Sequence, residues 1–186
     1  MLLLSACTLP DPPGTADPDA DTGTTRYAGR TAPVEEVDPA DGADAPLVFN
    51  EVAVDRVGSA NDPALTGDWV ELHNPSDRDV PLDGWTLATE DVGTDAAWGF
   101  PAGTTVEAGG WLLVGCEALF EVALDASFPL DLDGDGVWLY DDEGDAVAHL
   151  RWTAPPEDGI AFARLPDGDG AWGGDPNPTP GAANAE

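Results

Sequence analysis

Lysine is absent from this chain of 186 residues, and other basic residues are few. Six arginines stand against 37 acidic residues, which gives a formal net charge of −31 at pH 7. Such a charge repels a phosphate backbone, and the sequence holds no basic patch to bind one. Nucleic acid is therefore excluded as a partner. The same charge favours association with cations or basic partners, although a solvated acidic surface is the simpler explanation.

The chain also lacks the features of a membrane helix and of a disulfide. It contains no run of about 20 apolar residues, so no transmembrane helix is predicted. Its two cysteines, Cys7 and Cys116, do not look like a pair. Cys116 ends the apolar run "WLLVGC", where we predict a small buried residue rather than a nucleophile, because no activating histidine is visible nearby.

The residues before Cys7 read "LLLSAC", which resembles the lipobox of bacterial lipoproteins. The resemblance implies that Cys7 is lipidated after signal cleavage. Residues 1–7 would then be a truncated signal, because a signal peptide needs a basic start and a longer apolar run. Thr8 follows the cysteine, and the absence of Asp there fits the outer membrane by analogy with other lipoproteins. We expect attachment to a membrane through this lipid only.

Composition divides the rest of the chain into two parts. Residues 8–45 consist mainly of Pro, Asp, Ala, Gly and Thr, with Tyr27 as the only aromatic residue. Such a segment cannot bury enough apolar surface to offset the entropy of ordering it, so we predict a disordered acidic linker. All seven tryptophans and all five phenylalanines lie beyond it, which places the folded domain at residues 46–186.

The folded domain is predicted to be all-β. Short runs rich in Val, Leu, Trp and Phe alternate with clusters of Gly, Pro, Asp and Asn, and no convincing helical spacing occurs. This pattern indicates a β-sandwich. The candidate strands are residues 47–54, 68–74, 84–89, 97–100, 110–115, 136–141, 146–152 and 160–165. Of the tryptophans, Trp98 and Trp172 lie in glycine-rich segments and are the two for which we predict exposure.

Several motifs together resemble the lamin tail domain family. They are "LVFNEVAV", "WVELHNPS", "LDGWTL", "AGTTVEAGGWLLV" and "PTPGAAN", and they cover residues 47–184 in the order of the family. The resemblance implies an immunoglobulin-like β-sandwich, although no coiled-coil rod precedes it as in a lamin. In "PTPGAAN" we expect the two prolines to stiffen the end of the chain along a sheet edge.

One stretch has the spacing of a calcium-binding loop. In "DLDGDG", at residues 131–136, the candidate ligands are Asp131, Asp133 and Asp135, with Gly136 at the sharp turn. Asp142, at the twelfth position, replaces the usual glutamate, and no helices flank the loop. The alternative is a structural turn before a strand "VWLY", followed by a hairpin turn at "DDEGD". The structural turn is the favoured interpretation.

The sequence offers little for catalysis. His73 and His149 are the only histidines, and neither belongs to a metal-binding or nucleophile motif. With 37 acids, any chosen pair of carboxylates proves nothing about acid and base roles. We therefore expect no enzyme, no catalytic residue and no cofactor other than a tentative calcium ion.

These observations together predict a non-catalytic lipoprotein that displays a binding module. We expect a monomer at the outer membrane or cell surface, with an envelope protein or a glycan as its partner. The alternatives are a calcium-binding adhesion or stability module, and an accessory subunit of a secreted hydrolase. Loops at both ends of a sandwich are where such folds place recognition.

Overall fold

The computed structural model of the protein describes most of the chain beyond residue 44 and one earlier strand. The described residues are 34–36, 45–54, 67–89, 97–117, 122–131, 134–153, 161–175 and 177–184. Within these ranges the chain forms twelve strands and no helix. The predicted all-β class is therefore confirmed.

The strands are short, and eight of them agree with the predicted segments to within two residues at each end. In chain order they are β1 (Val34–Glu36), β2 (Val48–Ala53), β3 (Asp68–His73), β4 (Val80–Pro81), β5 (Thr86–Thr89), β6 (Trp98–Gly99), β7 (Thr105–Val106), β8 (Trp111–Cys116), β9 (Asp135–Tyr140), β10 (Ala146–Trp152), β11 (Ala161–Leu165) and β12 (Ala171–Asp175).

The strands form two five-stranded sheets and one small ribbon. The first sheet has the order β1-β10-β9-β5-β6, the second has the order β12-β11-β2-β3-β8, and β4 pairs with β7. All of these strand pairs are antiparallel. Half of the eight pairs in the two large sheets join consecutive strands, and the other half, β1-β10, β9-β5, β11-β2 and β3-β8, join strands that are distant in sequence.

The core lies between the two five-stranded sheets and follows the alternation of each strand. On β3, Val70 and Leu72 point into the core, while Trp69 lies in a separate small cluster on the outer face. On β9, Val137 and Leu139 are completely buried. Burying one such side chain contributes about 1.5–3 kcal/mol. Because alternate side chains of each strand point into the core, a shift of one residue in the register would expose a whole row of apolar side chains.

Strand β1 corrects one part of the sequence interpretation. Val34–Glu36 lies inside the segment that we predicted as a disordered linker, yet it pairs with β10 at the edge of the first sheet. A three-residue strand leaves almost no compositional signal, because its pairing depends on a free edge more than 100 residues away in the chain. The other residues of the linker, except residue 45, lie outside the described residues, as do residues 1–7.

The turn after β3 is built around the buried side chain of Asn74, as its sequence predicts. The Nδ2 group of Asn74 donates hydrogen bonds to the carbonyl oxygens of Arg78 and Val106, at 2.8 and 3.0 Å. Its Oδ1 atom accepts a hydrogen bond from the backbone N–H of Ser76, at 3.0 Å. One amide thus fixes the turn and attaches it to the end of β7.

Candidate functional site

The largest buried polar cluster lies on β2 and β3 in the middle of the second sheet. Asn50, Glu51 and Glu71 are completely buried. A bulge in β2 between Phe49 and Glu51 shifts the pairing there, and Glu51 lies directly opposite Glu71 on β3. Two acidic side chains opposite each other on one sheet repel. The cluster is therefore stable only if nearby groups donate hydrogen bonds to these carboxylates.

The C-terminal segment, residues 177–184, supplies several of these donors. The backbone N–H of Thr179 donates to Oε2 of Glu51 at 3.2 Å. The backbone N–H of Gly181 donates to Oε2 of Glu71, and Nδ2 of Asn50 donates to Oε1 of the same carboxyl group at 2.9 Å. We expected the "PTPGAAN" segment to lie along a sheet edge, and this expectation is wrong. Because two buried carboxylates on inner strands need donors, the segment is bonded there instead.

Asp167 and Asn184 close the cluster. Oδ1 of Asp167 accepts hydrogen bonds from Nδ2 of Asn50, at 2.9 Å, and from the backbone N–H of Asn184, at 3.1 Å. Nδ2 of Asn184 donates to the carbonyl oxygen of Arg164 at 2.9 Å. The motifs "NE", "WVEL" and "PTPGAAN" thus meet in one network. Their common role is to attach the end of the chain to the second sheet.

Burial changes the acidity of Glu71 strongly. Loss of hydration is the largest cause and raises the pKa of the Glu71 carboxyl from 4.5 to about 7. The neighbouring Asp167 carboxylate raises this pKa as well, whereas hydrogen bonds from Asn50 and Gly181 lower it. A carboxyl of this kind can exchange a proton near neutral pH. Its side chain is completely buried, however, so no substrate reaches it in this structure.

The loop before β9 contains the predicted calcium ligands. Asp131 is exposed and Asp135 is buried, while Asp133 lies outside the described residues. The Asp135 carboxylate accepts hydrogen bonds from the backbone N–H groups of Gly136 and Asp131, at 2.7 and 3.2 Å. The carbonyl oxygen of Asp131 accepts one from Nε1 of Trp152 at 2.9 Å. These contacts fit the predicted structural turn before a strand.

Acidic and thiol groups elsewhere do not assemble into a metal centre in the described part of the chain, where no group of three His, Cys, Asp or Glu side chains could hold an ion. Asp142 is exposed in the turn between β9 and β10. Because Asp133 is not described, the calcium site stays a prediction. Cys116 is buried as predicted, and burial raises the pKa of its thiol well above the usual range. Such a thiol is a weak nucleophile.

Both histidines stack on tryptophans on the outer faces of the two sheets. His73 stacks on Trp111 of the second sheet, with 5.1 Å between ring centroids. His149 stacks on Trp138 of the first sheet, with 4.2 Å between centroids and 17° between planes. Stacking of this kind holds an indole in one orientation. Neither histidine is placed beside a nucleophile in the described residues.

The outer face of the first sheet carries a group of aromatic side chains. It consists of Trp138 and Tyr140 on β9 and His149 on β10, and we name these three residues the aromatic face. All three are half-buried. Gly136 makes room for the indole, because a Cβ atom there would lie only 2.6 Å from Cη2 of Trp138.

The sequence predicted exposure for two other tryptophans, and the structure places both of them in partly buried positions. Trp98 and Trp172 are both half-buried and pack against the core, and Trp172 also lies under the guanidinium of Arg164 at 5.1 Å. Alternation does give a usable signal for Trp138. Because Val137 and Leu139 point into the core, Trp138 must point away from it.

Fold and site together define an immunoglobulin-like β-sandwich whose buried polar groups support its own architecture. The sequence profile of the Lamin Tail Domain matches residues 41–154, which is more than half of the chain. The chain belongs to the lamin tail domain family, as predicted. The sandwich continues beyond the matched residues, because β11, β12 and the C-terminal segment complete the second sheet. A search of curated proteins finds no match to the chain.

The family bears on function only in general terms. The lamin tail domain is a non-enzymatic, immunoglobulin-like domain, so membership indicates an interaction module. Cys7, the predicted lipidation site, lies outside the described residues. Among the residues that the structure describes, none forms a helix with the length and apolarity to cross a membrane.

Proposed function

We propose that this protein is an envelope lipoprotein that displays a lamin tail domain as a non-catalytic binding module. The observation that carries the proposal is the combination of an interaction domain with a lipobox-like "LLLSAC" sequence before an acidic, proline-rich segment. In this scheme lipidation of Cys7 holds the chain at the outer membrane or cell surface. The segment that follows separates the sandwich from the lipid.

The buried carboxylates support the non-catalytic part of the proposal. Glu51, Glu71 and Asp135 accept hydrogen bonds from backbone N–H groups of the protein itself. A general acid or base must instead reach the reacting group of a substrate. These three side chains are buried, and their hydrogen bonds hold loops and the C-terminal segment in place. Contact with a partner then falls to the exposed surfaces of the sandwich.

Fatty-acid labelling tests the anchor. Cells that express the protein from its own gene, together with the sequence upstream of Met1, are grown with an alkyne-tagged fatty acid, and the protein is isolated and fractionated. We expect label on the wild type and none on a Cys7→Ala variant, which should leave the membrane fraction. Cys116→Ala is the matched control and should keep both label and location, because that thiol is buried. Equal labelling of wild type and Cys7→Ala would overturn the anchor.

A further inference from the structure

The aromatic face has properties that define the chemistry of a partner. We propose that it binds an extended segment of another protein that carries lysine or arginine at alternate positions. The inference rests on the proposed function, which makes the sandwich a binding module, and it adds the class of partner. Its argument comes from the orientation of the indole, the charges around it and the spacing along β9.

The indole of Trp138 is held in one orientation by its neighbours. His149 stacks on it from the neighbouring strand, and Gly136 leaves space beneath the six-membered ring. On the other side, Ala88 of β5 lies opposite Trp138 in the register and carries only a methyl group. His149 covers one face of the ring, and a ring that is fixed in this way binds a cation at its other face with little loss of side-chain entropy.

The charges beside the aromatic face favour a cation. The turn from β9 to β10 follows Tyr140 directly, and Asp142, Glu143 and Asp145 are exposed there. Asp141 has a different role, because its carboxylate accepts hydrogen bonds from the backbone N–H groups of Glu143 and Asp145, at 3.0 and 2.9 Å. The turn is thus fixed in shape while its other carboxylates face solvent. With a net charge of −31, the whole chain attracts a basic partner over a distance.

The spacing of the aromatic residues fits an extended peptide. Trp138 and Tyr140 are two positions apart on one strand, which corresponds to about 7 Å. An extended partner has the same distance between alternate side chains. Because the ring of Trp138 lies over Gly136, on the side away from Tyr140, separate basic residues of the partner contact the two rings. Each cation–π contact at an exposed site strengthens binding by about two- to fivefold. The acidic turn adds charge attraction at the Tyr140 end.

Arg151 gives the site a direction. It is exposed on β10 and pairs in register with Gly136, at the end of the sheet away from the acidic turn. Glu35 of β1 lies opposite Arg151 in the register, so positive and negative charge meet at that end, whereas the turn at the other end carries acidic residues and no basic one. The basic residues of the partner should therefore lie between Trp138 and the turn. An oligosaccharide also stacks on indole rings, but an uncharged sugar gains no charge attraction from the acidic turn. The charges therefore favour a basic segment over a glycan.

Binding of a synthetic peptide tests the proposal. The full-length chain is titrated with a peptide in which lysine alternates with serine, and the dissociation constant is measured by calorimetry. We expect Trp138→Ala to weaken binding by about two- to fivefold, and Asp142→Asn with Glu143→Gln by about threefold. A peptide with glutamate in place of lysine should not bind. Because binding is measured in solution, its failure is distinct from failure of the Cys7 anchor.

Matched variants separate a site from general charge attraction. Trp111→Ala removes the other tryptophan that stacks on a histidine, and Asp77→Asn with Glu107→Gln removes the same charge from exposed positions elsewhere. Both controls should bind the lysine peptide as the wild type does. Trp138→Phe keeps a ring and should lose less affinity than Trp138→Ala. Unfolding midpoints of all variants establish that each is folded.

Three results would overturn the proposal. The first is equal binding of the lysine peptide by wild type and by folded Trp138→Ala. The second is equal weakening of binding by the two pairs of charge substitutions. The third is Trp138-dependent binding of an N-acetylglucosamine oligomer without binding of the lysine peptide, which would assign the aromatic face to a glycan.

Discussion

Glu71 shows how one residue can cost stability and yet be required by its surroundings. Its carboxyl is completely buried opposite Glu51, and it accepts hydrogen bonds from Asn50 and Gly181. Replacement of such a group removes both the repulsion and the bonds. Because the pKa in the folded state is about 7, the balance between these effects changes with pH.

The pH dependence of stability should reveal this residue. With a folded-state pKa of about 7 against 4.5, the folded protein binds more protons than the unfolded chain between these values. The free energy of unfolding therefore falls as the pH rises through this window, by at most about 3 kcal/mol from Glu71. Glu71→Gln should lose this contribution, as measured by urea unfolding at about pH 5 and about pH 8.

Glu107→Gln is the control for this experiment, because Glu107 is exposed. Its unfolding free energy should follow the pH profile of the wild type. A Glu71→Gln variant with the same profile as the wild type would show that Glu71 does not titrate near neutrality.

Substitution of Asp135 distinguishes a structural role of this side chain from a role as a calcium ligand. Its carboxylate accepts backbone hydrogen bonds from Gly136 and Asp131. Asp135→Ala leaves these donors without their acceptor, so we expect a loss of about 1–3 kcal/mol. The loss should be the same in excess calcium and in chelator, as measured by thermal unfolding of both proteins.

Asp131→Ala completes the comparison, because the exposed Asp131 carboxylate is a predicted calcium ligand. A calcium-dependent rise in the midpoint of the wild type that disappears in this variant would establish the calcium site. In chelator, an Asp135→Ala variant as stable as the wild type would contradict the structural role.

Among the elements, the C-terminal segment is bonded to the sandwich mainly by polar contacts. Asn184 is its last described residue, and its side chain donates to the carbonyl oxygens of Arg164 and Asn50, at 2.9 and 3.4 Å. Asn184→Ala should destabilise the protein by about 1–2 kcal/mol, since these bonds are lost. Protection from carboxypeptidase provides the direct measurement, and the variant should be trimmed faster than the wild type.

Asp169→Ala changes an exposed residue of the neighbouring turn and serves as the control. It should be trimmed at the rate of the wild type. Equal rates for Asn184→Ala and wild type would mean that the side chain of Asn184 does not hold the segment.

The elements also show which parts of the fold the sequence can predict. Strands such as β3 and β10 carry alternating or β-branched residues and are visible locally. Strand β12 reads "AWGGD", which has little strand propensity, and it forms because it pairs with β11 along five residues. Strands β4 and β7 have two residues each and depend on one another. Non-local pairing of this kind leaves no local pattern.

At the level of the whole molecule, the same limit applies to the sites. Alternation indicates that Trp138 points outward, but only the register of β9 with β10 places His149 beside it. Likewise, "NE", "WVEL" and "PTPGAAN" identify a family, whereas the bulge in β2 explains why these motifs belong together. The sequence predicts which residues matter for the fold, and the three-dimensional pairing gives the reason.

The net charge of −31 also acts on the whole molecule. Self-repulsion at this charge opposes compaction and keeps molecules apart. Few basic side chains are available to offset it, and the ion pair of Arg78 with Asp77 is highly exposed and contributes little. A basic partner would relieve part of the repulsion. Because salt screens these charges, binding of a basic partner should weaken as salt is added.

Nuclear magnetic resonance of the indole N–H groups tests the aromatic face most directly. The full-length protein contains seven tryptophans, each with one indole signal. During titration of the labelled protein with the lysine-serine peptide, the signal of Trp138 should shift progressively. The signals of Trp69 and Trp152, which are 0% and 1% exposed, should stay in place. An unchanged Trp138 signal, while other tryptophans shift at saturating peptide, would contradict the assignment of the partner to this face.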